Sequence, residues 1–249
     1  MSKMDLYKKY LNGETESVYD EILNLGDAAF SANIFAEVEA VLDETFRRVR
    51  VNLSIIYEEL QKTDYLFRWG PNCSRDYPLP GPLPNTDDLL KKLDDIVAPF
   101  GYVPLSLKKF YKYVGGCDFV WDYTINENRF WHGADPIEIV HLEELSEYVN
   151  SQDWGEQMSE LDEFESPYLE LAADYLHKDN ISGGAPYSLE ITKNPSIDGF
   201  FLFEPHRTTF IDYLRICFKG GGFSQISQVD IDQDYRSYFS QVISKMLPI

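Results

Sequence analysis

The stretch PYSLEITKNPSIDGFFLF, residues 186–203, holds two short runs rich in aromatic and aliphatic residues, PYSLEI and DGFFLF, with turn-forming residues between them. Such runs bounded by turn residues are typical of β-strands. Three similar runs precede them in the chain: CDFVWDY at 117–123, PIEIVHL at 136–142 and PYLELAADYL at 167–176. The sequence therefore predicts a block of strands between residues 117 and 203.

Helical patterns flank this block on both sides. From Ile34 to Leu60, apolar residues recur at steps of three and four with no Gly or Pro between them, which predicts one continuous helix with Asn33 as its N-cap. Further helices are predicted within 86–97 and 104–114 before the strands, and within 208–219 and 235–247 after them. Helices, then strands, then helices indicate an α+β fold rather than alternating βαβ units.

The periodic positions of these elements predict a shared core. We expect twelve apolar side chains to be mostly buried in it: Leu89, Leu93, Val97, Leu107, Phe110, Phe119, Leu189, Phe201, Phe203, Phe210, Leu214 and Phe239. The apolar stripe of the 34–60 helix should pack on its N-terminal neighbour or on the rest of the chain. If that stripe were bare, it would be a dimerisation or partner surface.

A proline-rich segment, GPNCSRDYPLPGPLP at 70–84, interrupts the helical pattern. Five prolines and two glycines in 15 residues preclude a regular element, because each proline lacks an N–H donor and has a fixed φ. We therefore predict an N-terminal helical region at 1–70, a linker at 71–84 and an α+β domain at 85–249.

The composition narrows the function classes. The chain has 249 residues, with 22 Lys and Arg against 42 Asp and Glu, and a net charge of −20. This charge repels nucleic-acid phosphates and anionic lipid, so the composition argues against nucleic-acid and membrane partners and favours a basic protein. Three widely spaced cysteines, and no apolar run long enough for a leader or a membrane span, predict a cytoplasmic protein without a disulfide framework.

Searches for catalytic and metal-binding motifs give structural interpretations. The series Asp230-x-Asp232-x-Asp234 lacks the glycine and the final glutamate of a calcium loop, so acidic capping of the last helix fits better. The glycines at 220–222 fit a helix C-cap and turn. His177-x-Asp179 could offer two metal ligands, but a hydrogen-bonded histidine is the better interpretation.

Cys117 is a poor candidate for a thiolate nucleophile, because the adjacent Asp118 would raise its pKa. We therefore predict no catalytic residue, no cofactor and no metal, and a protein that is not an enzyme.

One window of the sequence carries most of the negative charge. Between Trp131 and His177 there are 13 acidic residues and no Lys or Arg. Its centre, 151–166, is predicted to be an acidic loop with exposed Trp154, Met158 and Phe164. Carboxylates around apolar anchors suit a basic protein partner. The residues predicted to bind it are Asp153, Trp154, Glu156, Glu160, Asp162, Glu163 and Phe164; the alternative is a mobile loop whose charge only keeps the protein in solution.

The segment from about 82 to 223 resembles the SUKH superfamily, which includes fungal glucan-synthesis regulators and many bacterial toxin-immunity proteins. The similarity lies in GPLPNTDDLLKKLDDIVAPFGYVPLSLKKFYKYVGG, then FVWDY and ADPIEIVHLEEL, and then DYLHKDNISGGAPYSLEI and DGFFLFEPHRTTFIDYLRICFKGGGF. These segments follow one another in the order that the family has.

The resemblance implies a twisted, mainly antiparallel sheet flanked by helices. It also implies a binding function, namely an immunity protein that neutralises a cognate toxin. Together with the charge, it predicts a basic, nuclease-like toxin as the partner. The alternative is a regulatory or scaffold protein of the same fold with an endogenous protein partner. The sequence leaves both a monomer and a homodimer open.

Overall fold

The computed structural model describes residues 5–68, 78–122, 132–162, 164–228 and 233–249. The fold is α+β, as predicted. The helices are α1 Leu6–Leu11, α2 Thr15–Asn24, α3 Phe35–Leu60, α4 Thr86–Val97, α5 Leu105–Tyr113, α6 Leu142–Val149, α7 Gln152–Ser159, α8 Tyr175–Lys178, α9 Phe210–Lys219 and α10 Gln233–Ile243. The strands are β1 Cys117–Asp118, β2 Glu138–Ile139, β3 Tyr168–Ala172, β4 Tyr187–Glu190 and β5 Phe201–Leu202.

The strands form two antiparallel sheets, one of β1 and β2 and one in the order β3-β4-β5. A backbone hydrogen bond from the amide of Val140 to the carbonyl of Leu171, 2.7 Å long, joins β2 to β3. Each of the five predicted runs contains a strand, but the strands are shorter than the runs. The run at 167–176 leaves the sheet after Ala172 and ends in α8, because Asp174 caps that helix by accepting a hydrogen bond from the amide of Leu176.

Helix α3 confirms the prediction of one long helix. It begins at Phe35 with Ile34 rather than Asn33 at the N-cap position. Its apolar stripe is fully buried between α1, α5 and α10, so the stripe is covered within the chain. The buried ammonium of Lys109 on α5 bonds Glu39 at 2.9 Å and Asp43 at 2.6 Å, which ties α5 to α3.

Buried polar side chains tie the first helices to the rest of the chain. Asp198 accepts hydrogen bonds from Tyr19 at 2.5 Å, from Ser106 at 2.6 Å and from the amide of Ile211 at 3.0 Å. It thereby joins α2 and α5 to the start of α9. Burial raises the pKa of Asp198, and these donors oppose that shift because they stabilise the carboxylate.

The chain end is fixed to the middle of α3. Asn52 is fully buried, and its side chain exchanges two hydrogen bonds with the backbone of Leu247, each 2.8 Å long. The division into regions 1–70, 71–84 and 85–249 stays a prediction. Residues 71–77 of that linker lie outside the described residues.

Most of the predicted core is buried, with one clear exception. Leu89 and Phe239 are half-buried, whereas Phe203 is 56% exposed, so the expectation for Phe203 was wrong. Strand β5 ends at Leu202 and Phe203 has a φ of 65°, so the alternation of inward and outward side chains stops there. The glycines at 220–222 form the predicted C-cap and turn after α9, with positive φ at Gly221 and Gly222. Within the described residues, no helix combines the length and the apolarity needed to cross a bilayer.

Candidate functional site

Helices α6 and α7 and the chain that follows them carry the exposed part of the acidic window. We call this surface the acidic face. Its exposed carboxylates are Glu143 and Glu147 on α6, Asp153 and Glu156 on α7, and Glu160, Asp162 and Glu165 after α7. The sequence between 131 and 177 contains no Lys or Arg. The acidic face therefore has a negative potential that no neighbour in sequence neutralises.

Other acidic residues of the window are turned inward. Asp135 is fully buried and accepts hydrogen bonds from Lys178 at 2.6 Å, Tyr187 at 3.0 Å and Ser224 at 2.5 Å. Asp174 is buried at the start of α8 and contacts the ring of His177. Position in the sequence did not distinguish these structural carboxylates from the exposed ones.

Helix α7 replaces the acidic loop that the sequence predicted. Ser151 caps it by accepting a hydrogen bond of 3.2 Å from the amide of Trp154. Trp154 and Met158 lie one turn apart, and both are buried, with 1% and 4% of their surface exposed. The expectation of exposed Trp154 and Met158 was wrong, because two apolar residues in an acidic stretch are too few to reveal a helical period.

Trp154 acts as an internal anchor of the acidic face. Its ring meets Phe100 edge-on at 5.4 Å, and its indole N–H donates to the carbonyl of Tyr168 at 3.2 Å. These contacts fix α7 against the end of β3. Trp154 therefore has no surface to offer a partner, although it holds in place the carboxylates that do.

Phe164 is the exposed aromatic residue that the sequence placed here, and 91% of its surface is open to solvent. It lies in a turn closed by a hydrogen bond of 2.9 Å from the amide of Glu165 to the carbonyl of Asp162. Glu163 lies outside the described residues. The acidic face thus has carboxylates around an exposed ring, and the partner-binding role of the predicted residues stays a prediction.

Sequence reasoning missed two aromatic residues beside the acidic face. The hydroxyl of Tyr168 accepts a hydrogen bond of 2.7 Å from Gln157 of α7, and its ring meets that of Phe203 at 6.0 Å. Phe203 was assigned to the core, so no signal from the strand pattern identified it. The register of a two-residue strand decides its exposure, and the sequence does not fix that register.

A cavity of about 330 Å³ lies between α6 and strands β1, β2 and β3. Its charged lining consists of Arg68, Asp118, Glu138, Glu144 and Glu170. Four carboxylates against one guanidinium make the cavity acidic, like the neighbouring α6 surface. It lies on the same side of the molecule as Glu144 and Tyr148, which line it from α6.

Arg68 bridges the two innermost carboxylates of this cavity. One terminal nitrogen of Arg68 lies 2.5 Å from Asp118 and 2.6 Å from Glu138. The remaining carboxylate oxygens accept backbone amides, Asp118 from Val120 at 3.1 Å and Glu138 from Ala173 at 3.0 Å. Burial and the charge of Asp118 raise the pKa of Glu138, while Lys178 and Arg68 oppose the rise. The oxygens are used internally, which favours a fixed wall over a mobile acid–base pair.

The other reactive groups also have internal roles. Burial, and secondarily Asp118, raises the pKa of Cys117, as the sequence predicted in direction, so its thiol is protonated at neutral pH. Asp179 accepts a hydrogen bond of 2.5 Å from the amide of Gly133 instead of joining His177. Among the residues that the structure describes, no group of three or more His, Cys, Asp or Glu side chains is placed to hold a metal ion. Cys73, Asp230 and Asp232 lie outside the described residues.

No protein-family model, no curated protein and no solved structure matches this chain.

Proposed function

We propose that this protein is a non-enzymatic interaction protein that binds and neutralises a basic toxin domain of the nuclease type. The observation that carries the proposal is the acidic face, with seven exposed carboxylates around the 91% exposed Phe164. A protein that acts on nucleic acid presents basic residues to phosphate, so its working surface is complementary to such a face.

Charge and apolar contact have different tasks in this proposal. The carboxylates attract the basic partner over about 8 Å at physiological salt and raise the rate of encounter. The ring of Phe164 then supplies buried apolar area, which slows dissociation. Tyr168 and Phe203 extend the aromatic contact next to α7.

The toxin as partner comes from the resemblance to the SUKH superfamily, whose immunity proteins cover their toxins without chemistry of their own. A regulatory or scaffold protein of the same fold would use the same face for an endogenous basic protein. The two alternatives differ in the identity of the partner and in the consequence of losing the protein.

Co-expression separates them. The toxin-like domain encoded beside this gene should arrest growth alone and should be tolerated when this protein is co-expressed. Arrest that persists with a well-expressed, folded protein would contradict the immunity role. In that case, binding of an endogenous basic protein to the acidic face would support the regulatory alternative.

The acidic face is tested by a triple variant, Glu156→Gln, Glu160→Gln and Asp162→Asn. We expect association with the toxin domain to be about 3- to 10-fold slower at low salt, with a flatter dependence on salt, because steering depends on these charges. Stopped-flow fluorescence measures the rate.

The matched control neutralises three exposed carboxylates on the α2 side of the molecule, Glu14→Gln, Asp20→Asn and Asp27→Asn. It makes the same change in net charge, so its rate should stay close to that of the unmodified protein. Equal slowing by both variants would assign the effect to net charge and remove the acidic face from the interface.

A further inference from the structure

A second cavity, of about 480 Å³, lies at the end of β5 and is lined by residues 200–205 and Arg207. We call it the Glu204 socket. The side chains of Phe200 and Phe203 line it, and each is 56% exposed. Between these two exposed rings in sequence lies the core residue Phe201, which is 1% exposed, so the aromatic rings at the socket are not needed for the core.

The carboxylate of Glu204 is buried in the lining, with none of its side-chain surface exposed. One oxygen, Oε1, accepts a hydrogen bond of 2.9 Å from the amide of His206 and contacts Nδ1 of the same residue. The other oxygen, Oε2, is buried and has no hydrogen-bond partner among the described residues. A buried acceptor without a donor costs free energy, so the socket is short of one donor.

The socket borders the acidic face. The ring of Phe203 lies 6.0 Å from that of Tyr168, and Tyr168 is hydrogen-bonded to Gln157 on α7. A partner docked on α7 therefore reaches the socket without a gap. The missing donor can then come from the partner.

We propose that the Glu204 socket receives an arginine side chain of the basic partner; the partner in this inference rests on the function proposed above. A guanidinium would donate an N–H to Oε2 of Glu204, and its flat faces would stack on the rings of Phe200 and Phe203. Arginine fits this combination better than lysine, because a planar cation stacks on aromatic rings while it donates in its plane.

Arg207 is the rival occupant, since it also lines the cavity. It is exposed and forms no ion pair with Glu204 in the structure. If the socket serves the partner, Arg207→Ala leaves partner affinity unchanged or raises it, because a competing cation is lost. A loss of affinity in this variant would overturn the proposal.

The socket is tested first without any toxin, by titrating the protein with ethylguanidinium chloride against a sodium chloride control. NMR signals of the Phe200 and Phe203 rings should shift with millimolar affinity, and the shifts should vanish in Glu204→Gln. Gln keeps the shape of Glu204 and replaces its charge. Rings that do not respond specifically to ethylguanidinium would overturn the socket, whatever the partner is.

The second test measures dissociation from the toxin domain. Glu204→Gln should raise the dissociation rate by at least about tenfold and leave the association rate and its salt dependence close to normal, because the interaction forms only after encounter. The triple variant of the acidic face should change the association rate instead. An unchanged dissociation rate in Glu204→Gln would contradict the socket and leave the acidic face standing. Failure of the toxin to bind at all would contradict the proposed function and leave the ethylguanidinium result to judge the socket.

Folding is checked in the same variants. Removing an unpaired buried charge should leave the urea midpoint of Glu204→Gln equal to or above that of the unmodified protein. Phe203→Ser, at an exposed position, is the second variant. It should weaken ethylguanidinium binding while Glu204 is intact, and binding of normal strength would remove the aromatic part of the proposal.

Discussion

Lys178 and Asp135 form an ion pair whose two side chains have no exposed surface. Both charges lose their hydration, and the pair is tolerated because Asp135 also accepts from Tyr187 and Ser224. The ammonium lies 4.9 Å from the centre of the Tyr187 ring, which adds a cation–π contact. Asp135 has a φ of 59°, a conformation that Asp and Asn tolerate better than most residues. The pair therefore fixes a turn as well as a charge.

Removing one member of this pair should be costly. Lys178→Met leaves the Asp135 carboxylate buried without a cation, and we expect the free energy of unfolding to fall by about 3–5 kcal/mol. Urea unfolding followed by tryptophan fluorescence measures it. Adding Asp135→Asn should restore most of the loss, because the buried charge is then gone. The control is Lys219→Met, whose exposed pair with Glu16 should contribute less than about 1 kcal/mol; equal losses at both lysines would contradict this account.

At the scale of one element, α5 ends at a position that requires glycine. Gly115 follows the C-cap of α5 with a φ of 89°, and a Cβ there would lie 2.0 Å from the carbonyl oxygen of Gly81. The sequence indicated this C-cap from the Gly-Gly pair alone. It did not indicate the close approach of residue 81, which is a long-range contact.

Two glycine substitutions should therefore have opposite signs. Gly115→Ala should destabilise by at least about 2 kcal/mol, because it meets both an unfavourable φ and a backbone clash. Gly155→Ala in α7 meets nothing within 4 Å and should stabilise by about 0.5–1 kcal/mol, because alanine loses less entropy in a helix. Thermal unfolding of the two variants checks this. Two losses of similar size would show that the local conformation at residue 115 is not the cause.

The contrast between α3 and α7 shows how far a pattern predicts an element. Helix α3 has 26 residues and enough periodic apolar positions for its bounds to be predicted within one residue. Helix α7 has eight residues, of which Trp154 and Met158 are the buried ones, and the sequence gave it the appearance of a loop. Its burial depends on Phe100 and Tyr168, which are distant in sequence. Short elements held by long-range contacts cannot be identified from local spacing.

The candidate site follows the same rule. Charge is a property of composition, so the acidic window and the exposure of Phe164 were predictable. The Glu204 socket depends on the register of β5 and on a turn with positive φ at Phe203, so nothing in the local pattern indicated it. The cavity at Arg68 depends on residues from four separate segments of the chain. A site that arises from tertiary packing was therefore outside the reach of the sequence.

At the scale of the whole molecule, buried tyrosines dominate the behaviour at high pH. Burial is the main cause that raises the pKa of five of them well above the ordinary value of 10.0: Tyr19, Tyr65, Tyr111, Tyr213 and Tyr238. Their hydroxyls lie on different elements of the fold. Several donate to buried acceptors, as Tyr65 does to the carbonyl of Phe119 and Tyr111 to that of Val140 at 3.1 Å. Ionisation of any of them would place an uncompensated charge in the core.

These pKa shifts predict alkaline unfolding. Above about pH 10 the unfolded chain loses tyrosine protons that the native state retains, so the free energy of unfolding falls as pH rises, by up to about 1.4 kcal/mol per pH unit for each such tyrosine. Below about pH 10 both states are protonated and this contribution to stability is fully present. The raised pKa of Lys109 acts in the same direction, because its pairs with Asp43 and Glu39 overcome the opposing effect of burial. Urea unfolding at a series of pH values from about 8 to 11, with tyrosinate absorbance recorded on the native protein, measures both quantities. Tyr111→Phe should flatten the decline by as much as one tyrosine contributes, and native tyrosinate that appears near pH 10 with no loss of stability would contradict the burial argument.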